Sequence, residues 1–190
     1  MRLMGLEAIY PKRRLSLISR GFQPYPYLLR GIIIERPDQV WAADITYIRL
    51  LRGYVYLVAI LDWFSRYVIE WELSLNLEAD FCIAALRRAL ERRKPEIFNS
   101  DQGRQFTSTG FTRELQSSRV RISMDGRGRV FDNIMVERLW RSVKYEEVYL
   151  KDYATPREAR SNLRKYFVFY NGERPHQSLG YATPAEVYRG

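Results

Sequence analysis

Apolar and polar positions change their period along the chain, and the changes mark out the elements. Val40 to Ile48, Tyr54 to Phe64 and Tyr67 to Leu73 are rich in Val, Ile, Tyr and Trp, with breaks at Arg52-Gly53 and Ser65-Arg66. That pattern predicts three strands in an antiparallel meander. From Leu77 to Arg92 the spacing turns helical, with Ala79, Ile83, Leu86 and Leu90 on one stripe. Pro95 stops that helix, and the run Glu96 to Ser100 reads as a fourth strand. Thr107 to Ser118 reads as a helix, Val120 to Met124 as a fifth strand, and Gly126-Arg127-Gly128-Arg129 as a flexible basic loop. A long helix is predicted from Val130 to about Tyr149, and Thr155-Pro156 opens another with the stripe Ala159, Leu163, Tyr166 and Tyr170. The order predicts a mixed five-stranded sheet flanked by helices, an α/β layer architecture. Residues 1–36 carry Arg, Pro and Gly without a sustained period, which predicts an irregular basic arm ahead of a core over 37–190.

Charge adds a partner to this outline. Lys and Arg total 31 against 22 Asp and Glu, a formal net charge of +9 that favours polyanions, nucleic acid first among them. A solvated basic surface is the ordinary alternative. One cysteine, Cys82, excludes an internal disulfide, and one Cys with one His, His176, excludes a Cys/His zinc site. Any bound metal is therefore expected to be a hard ion held by carboxylates. The longest apolar run, Tyr54 to Leu61, is about half of what a helix needs to cross a bilayer, and no apolar signal core follows the first residues. No membrane association and a cytoplasmic setting are expected.

Three carboxylates occupy positions that need explaining. Alternation along the first strand puts Val40, Ala42, Asp44, Thr46 and Ile48 on one face. An ionised Asp in an apolar row is costly to bury unless paired, and neither Ala42 nor Thr46 offers a positive charge. A cation from outside the chain removes that cost; a backbone amide satisfying the carboxylate is the plainer reading. Asp101 closes the fourth strand in the run Asn99-Ser100-Asp101-Gln102-Gly103, where ligands gather in open α/β sheets but where Asp also serves turns. Glu137 shares a helical face with Asn133, Trp140, Arg141 and Lys144, while Met135, Val136, Leu139 and Val143 form a separate apolar stripe. Alone, Glu137 would be half of a surface pair with Arg141. Together, acids converging from separate elements can hold two metals about 4 Å apart, the arrangement that serves phosphodiester chemistry. Arg127, Arg129, Arg138, Arg141 and Lys144 surround the third acid, where contacts to phosphate would be wanted.

At these residues the chain resembles the retroviral-integrase-like core of bacterial insertion-sequence transposases, above all the second-frame (OrfB) products. The matching blocks are Gln39–Tyr47 (QVWAADITY), Leu61–Arg66 (LDWFSR), Asn99–Gly103 (NSDQG), Met124–Gly128 (MDGRG), Asp132-Asn133, Glu137–Glu146 (ERLWRSVKYE), Tyr170-Asn171 and Arg174-Pro175-His176. Between Asp101 and Glu137 lie 35 residues, the interval of that family's DDE triad. The resemblance implies an RNase H-like fold and a triad of Asp44, Asp101 and Glu137 binding Mg²⁺ or Mn²⁺, two ions when DNA is bound. It implies hydrolysis at element ends followed by attack of the freed 3′-hydroxyl on another phosphodiester, with no covalent enzyme–DNA intermediate. Asn133 and Lys144 would touch DNA or support the ligands.

Further expectations carried by the resemblance are a homo-oligomer on DNA, a first-frame partner protein and association with the bacterial nucleoid. Asp62 is expected to cap the Trp63–Arg66 turn rather than bind metal, and His176 to pack or turn the chain. Residues 1–12 resemble only the last turn and exit of the helix-turn-helix-like segment such proteins carry ahead of the core. A truncated, non-catalytic DNA-binding remnant or inhibitor is therefore the alternative function. A nuclease of RNA–DNA hybrids is disfavoured by the Trp- and Arg-rich helix around Glu137 and by the tail blocks.

Overall fold

Alternation along β1 (Val40–Arg49) sends Trp41 and Ala43 to one side of a sheet and Ala42 and Ile48 to the other. In this computed structural model, which describes residues 25–125 and 134–190, β1 is the central strand. β2 (Tyr54–Asp62) pairs antiparallel with β1, and β3 (Val68–Ser74) pairs antiparallel with β2. On the other side β4 (Ile97–Ser100) runs parallel to β1, and β5 (Arg121–Met124) runs parallel to β4. The sheet order is β3-β2-β1-β4-β5, the mixed five-stranded sheet that the sequence predicts.

Each face has its own core. On one face Trp41, Val58, Ile60 and Phe98 meet α1 (Asp80–Arg92) and α2 (Thr109–Ser117) through Phe81, Cys82, Leu86, Phe111 and Leu115. Gly110 lets these two helices approach, since a Cβ there would stand 2.8 Å from Ile83 Cδ1. The other face sets Ile48, Leu57, Ala59 and Leu61 against α3 (Ile134–Glu146) and α4 (Pro156–Gly172) through Val136, Leu139, Val143, Leu163 and Tyr166. Each fully buried Leu in such a core stabilises the fold by about 1.5–3 kcal/mol. A short helix, α5 (Pro184–Arg189), closes the chain.

Boundaries depart from the sequence expectation where side chains reach back to the backbone. β2 ends at Asp62, before Phe64, because the Asp62 carboxylate accepts the Ser65 N–H (2.8 Å) and hydroxyl (2.6 Å) and turns the strand. The helix expected to reach Tyr149 stops at Glu146. Glu147 still donates its N–H to the Val143 carbonyl (3.2 Å), and the chain then tightens into a 3-10 turn, Val148–Leu150, with the Glu147 carboxylate meeting the Tyr153 hydroxyl (2.7 Å) and Lys151 Nζ (2.8 Å). On α1 the buried stripe is Phe81-Cys82, Ala85-Leu86 and Ala89-Leu90, while Ile83 is only half-buried. The stripe on α4 is as expected, with Ala159, Leu163, Tyr166 and Tyr170 buried. The loop at Gly126–Arg129 lies outside the described residues.

Both ends of the described chain are fastened to the sheet. Residues 25–36 carry no helix or strand, but Leu29 packs on Val40 and Ile97, and Met124 N–H donates to the Pro26 carbonyl (3.3 Å) along the β5 margin. At the other end Tyr188 donates its hydroxyl to Asp38 Oδ1 (2.6 Å) and stacks on Tyr67 with ring centroids 4.6 Å apart.

The β3 margin has no neighbouring strand, yet side chains satisfy its outward backbone groups. Asn171 accepts the Val68 N–H (2.9 Å) and donates to the Val68 carbonyl (3.0 Å). Glu70 accepts the Trp71 N–H and Arg88 donates to its carbonyl; Glu72 and Arg160 do the same for Leu73. Asn171→Ala would leave both Val68 groups without these bonds, and we expect a loss of about 1–3 kcal/mol in urea unfolding. Asn171→Asp, which keeps only the acceptor, should fall between. An unchanged midpoint in Asn171→Ala would show that water replaces the amide at no cost.

Candidate active site

The parallel pairing of β1 with β4 places two of the three singled-out acids side by side. Partners across this ladder are Val40 with Ile97, Trp41 with Phe98 and Ala42 with Asn99. Continuing the register by two residues sets Asp101, just past the end of β4, level with Asp44. Both side chains line one cavity of about 230 Å³, shared with Thr46, Tyr47, Tyr56, Gln105 and Phe106.

Asp44 is half-buried beside the apolar face of β1, and its Oδ2 accepts a 2.8 Å hydrogen bond from Trp140 Nε1 on α3. Loss of water pushes its pKa from 3.8 to about 6; the Trp140 and Ile45 hydrogen bonds oppose this, and the charges of Asp101 and Glu137 add to it. Asp101 stands at the cavity mouth with its side chain exposed, yet enough protein surrounds its carboxyl that lost hydration again raises its pKa. The Gly103 N–H holds Asp101 Oδ1 at 2.9 Å. A Cβ at Gly103 would stand 2.8 Å from that same oxygen, so only glycine fits this close approach without a shift.

Glu137 lies in the first turn of α3, exposed, and is not among the residues lining the cavity. It reaches Asp44 through its charge rather than through contact. Among the described residues no three acid, imidazole or thiol side chains stand together as a ready metal-binding group. The structure thus brings Asp44 and Asp101 together and leaves Glu137 one step outside. The chemistry of the donors still fits a hard divalent ion: two carboxylates face one cavity, a third acid adds negative potential, and no Lys or Arg lines it.

Of the expected DNA contacts, Arg138 and Arg141 are exposed on α3, and Lys144 Nζ sits 5.1 Å from the centre of the Tyr47 ring. Arg127, Arg129 and Asn133 lie outside the described residues. Asp62 is buried and acts as the turn cap expected of it; it also accepts the Asp38 N–H at 2.8 Å. His176 is buried against the Tyr170 ring, and its carbonyl accepts the Tyr181 N–H (2.9 Å), so it packs and turns the chain. Two contributors carry no role in the sequence reading. Trp140 shares the Glu137 face, but only the fold shows it bonded to Asp44, and Gly103 two residues after Asp101 was the available sign of a tight carboxylate turn.

The integrase core domain family matches residues 34–129, and a second integrase core domain model matches residues 118–184. The transposase for insertion sequence element IS629 of Shigella sonnei is 30% identical over 191 residues, covering 98% of this chain and 64% of that protein. Transposase InsF for insertion sequence IS3A of Escherichia coli (strain K12) is 32% identical over 183 residues, covering 88% of this chain and 64% of its own. The chain thus spans 64% of the length of these relatives. Among solved structures, the HTLV-2 integrase catalytic core domain in complex with magnesium superposes with a TM-score of 0.65 at 20% identity, over 80% of this chain and 97% of that one. A simian T-cell lymphotropic virus intasome chain gives 0.71 at 19% identity, over 90% and 61%. These neighbours share the RNase H-like fold.

Asp44 also makes a stability prediction. Its folded pKa of about 6 lies above the ordinary 3.8, so its ionisation opposes folding, and stability is lost as pH rises through that interval. Asn carries no charge and can still accept the Trp140 N–H. With chelator present, Asp44→Asn should exceed the native chain in stability at pH 8 by up to about 3 kcal/mol, the gap closing toward pH 4. Urea unfolding at both pH values measures it; equal or lower stability of the variant at pH 8 would mean that the ionised group is well accommodated.

Proposed function

This chain belongs to the integrase core domain family, and we propose that it is the catalytic core of an insertion-sequence transposase that cuts and joins DNA strands. Asp44 and Asp101 on one cavity, level across adjoining parallel strands and without a lining cation, is the observation that supports this most. The proposed ligand set is Asp44, Asp101 and Glu137, holding Mg²⁺ or Mn²⁺, two ions when DNA is bound. Such ions, when bound, activate an attacking oxygen and stabilise the leaving one.

The protein's own groups prepare this chemistry. Trp140 fixes the rotamer of Asp44, and the Gly103 N–H fixes that of Asp101. Partial burial strips water from both carboxylates, so they gain more from a divalent ion than exposed acids would. Glu137 completes the set from α3 by closing on the cavity. Arg141 and Lys144, on the same side of that helix, hold backbone phosphates of the element end or the target. No serine or tyrosine nucleophile is required, because water attacks first and the freed 3′-hydroxyl second. The proposal extends to a homo-oligomer on DNA, a first-frame partner protein and a place at the bacterial nucleoid. Among the described residues no helix is long and apolar enough to cross a membrane.

Nicking and strand transfer with terminal-repeat DNA in Mg²⁺ or Mn²⁺ test the reading. Asp44→Asn, Asp101→Asn and Glu137→Gln should each reduce turnover by about a thousand-fold, several kcal/mol at 1.36 per decade, with DNA binding in chelator nearly unchanged. Full activity in any one of them removes that residue from the set. Arg141→Ala and Lys144→Ala should instead weaken DNA binding and flatten its salt dependence.

A further inference from the structure

A second cleft, of about 70 Å³, lies on a different flank of α3. Arg66 enters it from the turn between β2 and β3, Arg138 and Ser142 from α3, and Arg174, His176 and Ser178 from the segment after α4. Three stretches that are distant in sequence supply these groups, two of them the Leu61–Arg66 and Arg174–His176 blocks for which the catalytic reading has no use. Arg138 and Ser142 lie about a third of a turn round the helix from Glu137, so the cleft is separate from the acid site.

The arginines differ in their commitments. Arg174 is clamped: its Nε and Nη2 donate to the two Glu146 carboxylate oxygens at 2.7 and 2.6 Å, and the Tyr166 hydroxyl braces the same carboxylate at 2.9 Å. Its remaining Nη1 lies 3.3 Å from His176 Nε2. Burial, with Arg174 beside it, pushes the His176 pKa down to about 4, so the ring is neutral at physiological pH and adds no charge. Arg66 has no such clamp. Its backbone is held left-handed at φ 64° by the Asp62 turn, and its half-buried guanidinium finds no hydrogen-bond acceptor among the described residues. Lost hydration is the largest influence on it and disfavours its charge; the Tyr170 and Asp62 charges oppose this in part, and Arg138 nearby adds to it. A guanidinium does not respond by losing its proton, so the penalty persists until an anion arrives. No acidic side chain lines the cleft; Glu146 pairs with Arg174, and Asp62 acts on Arg66 through its charge without a side-chain hydrogen bond to it.

We propose that this cleft binds one backbone phosphate of DNA, gripped by Arg66 and Arg138 with the Ser142 and Ser178 hydroxyls as further donors. A tetrahedral anion takes donors from several directions, as these segments offer them, and the volume suits one phosphate group rather than a base. The assignment rests on the reading of the chain as a DNA-handling protein. The cleft positions DNA and does not touch the reacting atoms.

Fluorescence anisotropy of a labelled duplex with the full chain, in chelator and across a salt series, tests it without any chemistry. Arg66→Gln and Arg138→Gln should each weaken binding about ten-fold and lower the slope of log K against log salt by about one. Because both arginines serve one phosphate, the double variant should lose no more slope than either single one. Unchanged slopes, slopes that add to about two, or a native chain that does not bind duplex each overturn the site. Arg138 is exposed on a helix, so its variant folds even where Arg66→Gln does not, and thermal melts identify that case. Titration with inorganic phosphate separates the sources: tight phosphate binding with unaltered DNA binding in the variants assigns the cleft to the free ion and overturns the proposal. Lost slopes with intact metal-dependent nicking support the cleft and the catalytic reading together. Intact slopes in the variants with nicking by the native chain remove the cleft alone, and lost slopes in the variants with no nicking by the native chain remove the catalytic reading alone.

Discussion

A carboxylate on the central strand of a packed sheet is the constraint from which the rest follows. Asp44 sits among buried neighbours with the Trp140 indole N–H and the Ile45 backbone N–H for support, and two further acids stand within electrostatic reach. A sheet built for stability alone would place Val or Thr there. The fold tolerates the charge because both faces are otherwise densely filled, and the aromatic and aliphatic core on each side carries the cost of one poorly solvated group. A polar site so placed gives the fold a reason to bind a cation it does not itself supply.

The helix α3 links this site to everything else. One stripe of it, Val136, Leu139 and Val143, docks on the sheet; a second carries Trp140, bonded to Asp44, with Glu137 exposed one turn before it; a third carries Arg138 and Ser142 into the arginine cleft. Three faces with three chemistries are possible because 3.6 residues per turn separate them around one rod. Movement of α3 along or about its axis would change all three together. That makes its seating on the sheet the determinant of how Glu137 stands to Asp44 and Asp101.

Much of this was legible in the chain. Val40 to Ile48 announced a strand through its β-branched and aromatic content, and Asp44 declared itself by standing in an apolar row. Ala159, Leu163, Tyr166 and Tyr170 gave their helix the right face, because a regular period needs no tertiary knowledge. What escaped depended on contacts between distant residues. The parallel register that sets Asp101 level with Asp44 joins two distant strands, and no local window contains it. Arg66, Arg138 and Arg174 lie in separate blocks, and only folding gathers them. The short helix α5 is a different case: Thr183 and Glu186 form a capping box behind Pro184, a signal present in the sequence that the reading passed over.

The closed margins of the sheet bear on how copies of the molecule can meet. Along β5 the chain's own residues 26–28 lie against the strand, and along β3 Asn171, Arg88 and Arg160 occupy the backbone groups that a sixth strand would seek. The outward backbone groups of β3, and the Met124 N–H of β5, are thus already taken, which hinders the strand addition that open sheet edges invite. Copies of this core that meet would therefore, among the described residues, touch through helices and loops, whose side chains can specify a geometry, and the sheet at the centre of each copy stays its own.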